Sequence, residues 1–138
     1  MKLDGYRLVQ ESLSSEDVII NNITFTGFSP DRIDPISEKL PLVNKLLLML
    51  SKTVPAKLPG HITAMSQEEI EDSQDRRAGH GSEQHSDDYS SAVIKINPTM
   101  TPINILIAYV HEHVHYFCPD LTEWAVDVLT DKILKEVK

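Results

Sequence analysis

The distribution of apolar positions in the last third of the chain changes period twice. In Ser91–Asn97 (SAVIKIN), Ala92, Ile94 and Ile96 alternate with Val93, Lys95 and Asn97, the period-two pattern of a half-buried strand, and Pro98 closes it. Thr101 then stands as a helix cap and Pro102 suits the first helical position. The apolar run Ile103, Ile105, Leu106, Ile107, Ala108 and Val110 predicts a strongly buried helix over Thr101–Phe117. Phe117, Cys118 and Pro119 end that helix, and Asp120 is placed to cap a second one, Leu121–Val137. This helix carries Leu121, Trp124, Ala125, Val128 and Leu129 on one face. Upstream, Leu40, Val43, Leu46, Leu47 and Leu50 recur at threes and fours and predict a backing helix over Pro41–Lys52, apolar nearly all round and so covered on more than one side. Val18–Phe28, rich in β-branched and aromatic residues, reads as one strand. These elements define an α+β class: a small sheet packed by a backing helix and two C-terminal helices.

Composition narrows the picture. With 138 residues, 41% hydrophobic, the chain is read as one domain able to bury a core without a stapling metal, so that any metal is functional rather than structural. The formal net charge of −8 is concentrated in residues 66–91, which hold eight acidic residues against Arg76 and Arg77 and only Ile70, Ala78 and Tyr89 as apolar or aromatic anchors. That segment is expected to be a mobile acidic excursion or a lid. A negative field repels phosphate backbones and anionic headgroups, so neither nucleic acid nor a membrane surface is expected as a partner. The longest purely apolar run, Leu46–Leu50, is far short of a membrane span. Charges at Lys2, Asp4 and Arg7 break any signal-peptide pattern, and the lone Cys118 fits a reducing compartment; a cytoplasmic location is the expectation.

The candidate chemistry lies at the polar end of the buried helix, where His111-Glu112-His113-Val114-His115 satisfies H-E-x-x-H. At 100° per residue, His111 and His115 stand about 40° apart on one face and about 6 Å apart along the axis, so both imidazoles can converge on one tetrahedral zinc. Glu112, one position round, can reach a water on that metal without ligating it, as a general base requires. His113 points about 200° away from His111 and receives no metal role. A catalytic zinc needs a third protein ligand, and Glu123 on the following helix is placed to supply it. Asp127, four residues on, could accept the outer N–H of His111. The alternatives stay open at this point: Asp120-x-x-Glu123 also fits a capping box, and Glu123 and Asp127 lie opposite the main apolar stripe, although Val126, Thr130, Leu134 and Val137 share their side. Asp120 is the reserve ligand. Cys118 reads better as a small buried hydrophobe, His80 and His85 as exposed spectators, and His61 as an oxyanion donor only if the fold brings it near.

The pattern His111-Glu112-x-x-His115 followed on the next helix by Glu123-x-x-x-Asp127 resembles the gluzincin metallopeptidases, and the short chain with a strand before the active-site helix looks most like the minigluzincins. The resemblance implies a minimal zincin-like fold, Zn2+ bound by His111, His115 and Glu123, Glu112 as general base, and Asp127 supporting His111. It also implies that the strand Ala92, Val93, Ile94, Lys95, Ile96 and Asn97 forms the upper rim of a cleft and binds extended peptide. The seven residues between His115 and Glu123 make a tighter connection than the family often has. A metzincin pattern would need Gly at Cys118 and His at Leu121, and is rejected. The functional expectation is a zinc-dependent peptidase acting on peptide or unfolded protein, with latency as an open feature. The alternative is a catalytically inactive metal-binding or protein-interaction module that keeps this architecture.

Overall fold

A computed structural model describes residues 17–51, 58–68, 70, 81–84 and 93–137. The order along the chain is β1 (Val18–Ile20), β2 (Ile23–Thr26), a single turn α1 (Pro30–Ile33), a 3-10 segment (Asp34–Lys39), α2 (Leu40–Leu48), β3 (His61–Ala64), β4 (Gly81–Gln84), β5 (Val93–Ile96), α3 (Pro102–Phe117) and α4 (Glu123–Val137). The five strands form one mixed sheet in the order β1-β2-β3-β5-β4, which bears out the α+β class. Its centre is parallel, β2 to β3 to β5, and each edge strand runs antiparallel to its neighbour.

The sheet is one-sided. Phe25 pairs across to Ile62 and Ile62 to Ile94, and these three, with Ile23 and Ile96, are buried toward the helices. Their strand neighbours Thr24, Thr63 and Lys95 are only partly covered, as the period-two pattern requires. Leu40, Val43 and Leu47 of α2 and Ile105, Leu106, Tyr109 and Val110 of α3 close the core. A polar chain leads from it to the surface: the Tyr109 hydroxyl donates to Asn44 Oδ1, and Asn44 Nδ2 donates to Oδ1 of the exposed Asn21 at 2.8 Å. Tyr109 also stacks on Phe25, with ring centroids 6.0 Å apart, so the middle of α3 is pinned by both packing and hydrogen bonding. Burial raises the Tyr109 hydroxyl well above its ordinary range and keeps it a donor. No helix among the described residues is long and apolar enough to cross a membrane.

Several expectations need correction. The single strand Val18–Phe28 is a hairpin, because Asn21 and Asn22 both take positive φ, 55° and 68°, and reverse the chain in two residues as a primed turn does. The backing helix is Leu40–Leu48, preceded by a 3-10 segment that absorbs Pro35, and it stops short of Lys52. Within the acidic segment 66–91, expected as a loop, residues 81–84 form strand β4; residues 71–80 and 85–92 lie outside the described residues. The apolar face foreseen on α4 is split: Leu121, Trp124 and Val128 are exposed, Trp124 at 76%, Ala125 and Leu129 are partly buried, Leu129 against the core, and Val126, Thr130, Ile133 and Val137 are buried.

Gly27 leaves β2 with φ 89°, and a Cβ there would lie 2.8 Å from the Ala64 Cβ on β3. Backbone strain and overpacking act together at that position. Gly27→Ala is expected to cost about 1–3 kcal/mol, read as a lower urea midpoint at unchanged slope. An unchanged midpoint would contradict this close approach of the two segments.

Candidate metal centre

Two local features set the site. The Thr101 hydroxyl accepts from the Asn104 N–H at 3.4 Å, and with Pro102 it starts α3 in a register that brings His111 and His115 to one partly exposed face. At the far end Cys118 N–H closes on the Val114 carbonyl and Leu121 N–H on the Cys118 carbonyl, so α4 begins after only residues 118–122. The Thr122 hydroxyl, accepting from Ala125 N–H at 3.1 Å, caps α4. Thr122 takes the role foreseen for Asp120, and the capping-box reading of Glu123 lapses with it: Glu123 is the first helical residue, not the third after a cap. This hairpin packs α4 directly against α3, so Glu123 and Asp127 stand beside the two histidines.

The resulting distances are short. His115 Nε2 lies 2.8 Å from Glu123 Oε2, His111 Nε2 lies 3.4 Å from Glu123 Oε1, and the two Nε2 atoms are 3.2 Å apart. Behind them, His111 Nδ1 is 3.2 Å from Asp127 Oδ1. Among the described residues, His111, His115 and Glu123 are the one group of ligating side chains whose atoms lie within 4.8 Å of one another.

These contacts assign the proton on His111. An ionised carboxylate only accepts, so Nδ1 facing Asp127 carries the N–H, and in the neutral ring Nε2 presents its lone pair to His115 and Glu123. A lone pair, a second imidazole nitrogen and a carboxylate converging this closely call for a proton or a cation between them. A tetrahedral zinc with bonds of about 2.0–2.1 Å separates its ligand atoms by about 3.3–3.4 Å, close to the 3.2 and 3.4 Å that His111 Nε2 makes, whereas the 2.8 Å between His115 Nε2 and Glu123 Oε2 is a hydrogen-bond distance that would lengthen around an ion. The donor set therefore fits a zinc ion, with Glu123 more than half exposed on the open side.

Glu112 is 4% exposed, on a turn of α3 whose two histidines remain partly exposed. His113 is fully buried; its ring lies on Tyr109 at 4.2 Å, and Nδ1 donates to the Tyr109 carbonyl at 2.7 Å. Its Nε2 has no hydrogen-bond partner among the described residues. Burial lowers its pKa from 6.5 to about 4, with the Tyr109 carbonyl pulling the other way. The unfolded chain thus binds the proton first. Stability is full above pH 6.5 and falls as the pH drops toward 4, by a total on the order of 3 kcal/mol. His113→Phe is expected to flatten that part of the curve in urea melts at pH 7 and pH 5; an unaltered slope would contradict it.

The remaining sequence candidates separate from the site. His61 opens β3, exposed, and Cys118 caps α3 half-buried; neither joins the ligating group, and His80 and His85 lie outside the described residues. Strand Ala92–Asn97, expected to rim the cleft, is represented by β5, Val93–Ile96, which is paired on both sides by β3 and β4. A strand hydrogen-bonded on both flanks has no edge to offer a peptide. The outer position belongs to β4, which packs over α3. Its sequence GSEQ holds no apolar residue, so hydropathy does not announce it. Comparison with family models, with curated proteins and with solved structures gives no match for this chain.

Proposed function

We propose that the chain is a zinc-dependent peptidase of gluzincin type. One observation carries the reading: Nε2 of His111 and His115 and the Glu123 carboxylate converge within bonding range of a common point, while Asp127 holds the outer nitrogen of His111. In this reading His111, His115 and Glu123 hold the ion, and Asp127 fixes the tautomer that directs the His111 lone pair at it. Zinc bound there supplies a Lewis acid and brings the pKa of a coordinated water toward neutrality.

The rest is done by the chain. Glu112 takes the proton of the water as its oxygen attacks the peptide carbonyl carbon. It then delivers that proton to the leaving amine as the C–N bond breaks. Among the described residues β4 is the edge strand on that side of the sheet, and an extended peptide would add there as a further strand. The peptide-binding role first given to Ala92–Asn97 is thereby moved one strand outward.

A second reading, a metal-binding module without hydrolysis, is favoured by the burial of Glu112, since a base must meet the water it deprotonates. The two diverge in one assay. An unstructured protein incubated with zinc-loaded chain is cut under the first reading and left intact under the second.

A further inference from the structure

Where the Asn21–Asn22 turn meets α2 and the segment that enters β3, the structure holds a cavity of about 580 Å³, within the size range of small-molecule sites. It shares no residue with the metal centre. Ile23, Leu48, Leu58 and Pro59 give it apolar walls, and Asn21, Asn22, Asn44 and Lys45 are its polar side chains. Asn44 is only 3% exposed, so part of the wall is a polar group set into the core.

The polar chain from the core decides what these groups present. The Tyr109 hydroxyl is fully buried and stays protonated, and Asn44 is its one hydrogen-bond partner among the described residues. A buried proton needs an acceptor, which turns Oδ1 of Asn44 toward Tyr109 and Nδ2 toward Asn21. Asn21 must then accept through its own Oδ1. Its Nδ2 keeps two N–H groups, without a hydrogen bond among the described residues. Each amide is oriented by the group behind it, and the chain ends at the cavity-lining Asn21 as a donor. Lys45 adds an exposed ammonium that pairs with no acidic residue among those described. Among the described residues no acidic side chain lines the cavity, in a chain that holds 21 acidic residues against 13 basic ones. Apolar walls, an oriented N–H donor and a single positive charge therefore meet in one place.

We infer that this cavity binds a small organic carboxylate with an apolar body. The carboxylate accepts from Asn21 Nδ2 and pairs with Lys45, and the body lies against Ile23, Leu48 and Leu58. A neutral ligand would forgo the Lys45 charge, and a bare anion such as phosphate would leave the apolar walls in water. The site stands independently of the metal reading.

The side-chain amide resonances of the isotope-labelled full chain, without added zinc, test it in titrations with hexanoate, phenylacetate and phenylbutyrate and with the matching alcohols. The expected result is saturable binding of at least one acid, with a Kd of about 1 mM or tighter, in which the Asn21 and Asn44 signals shift. The matching alcohol should bind at least about tenfold more weakly, and acetate, which lacks the body, should leave the signals in place. Lys45→Met and Asn21→Asp should each weaken the acid at least about tenfold. Asp tolerates the positive φ at position 21 and still accepts from Asn44, so the turn is kept while its donor becomes an anion. Lys45 is exposed, and Lys45→Met keeps the test decisive even where Asn21→Asp disturbs the hairpin. Absence of binding by all three acids at about 10 mM overturns the inference. So does equal binding of acid and alcohol, or binding that Lys45→Met leaves unweakened.

Discussion

Glu123→Ala is expected to lower zinc affinity by more than about a hundredfold, because on the proposed reading it takes away one of three protein ligands rather than the support of one. Asp127→Asn should lower it by only about 10–100-fold, the range for a carboxylate that orients a ligating imidazole. The order of the two effects follows from the geometry: Glu123 reaches both Nε2 atoms, at 2.8 and 3.4 Å, whereas Asp127 touches only the far nitrogen of His111. Competition against a chromophoric chelator measures both variants. Equal losses, or no loss in either, would contradict the assignment of Glu123 as ligand. Both side chains are more than half exposed, so neither replacement should disturb the core, and unchanged urea midpoints of the metal-free variants check this.

The largest effect on activity belongs to Glu112→Gln. If Glu112 moves the proton, the amide keeps the shape and loses the basicity, and turnover of an unstructured protein should fall by about 10²–10⁴ with bound zinc unchanged. Metal retention matters here, because Glu112 is buried on the same helix as both histidines and a disturbed helix would lose zinc as well. A variant that keeps both zinc and turnover removes Glu112 from the mechanism.

How far these residues could be read from sequence depended on what kind of force places them. The strand at Ile94 and Ile96 and helix α3 follow from burial periodicity together with Thr101 and Pro102, and both stand where the pattern puts them. The convergence of His111 and His115 is likewise a consequence of helical geometry, needing no tertiary information. Three features obeyed other forces. The Asn21–Asn22 turn is set by backbone conformation rather than hydropathy, and a pair of asparagines between two apolar runs was the available signal. Strand β4 contributes main-chain hydrogen bonds from a polar tetrapeptide, so no side-chain pattern marks it. The facing of α4 was decided by the tight hairpin after Cys118 and the Thr122 cap, which turn Val126, Thr130 and Ile133 inward and leave Leu121, Trp124 and Val128 outside. That same rotation brings Glu123 and Asp127 onto the histidines.

The most direct measurement is an anomalous difference map at the zinc edge, from crystals of the chain grown with the metal and without an affinity tag. The account predicts one peak per chain, about 2.0–2.2 Å from Nε2 of His111, Nε2 of His115 and a carboxylate oxygen of Glu123, with Asp127 still on Nδ1 of His111. Zinc bound elsewhere, or no peak between the two rings and Glu123 turned into solvent, would contradict it.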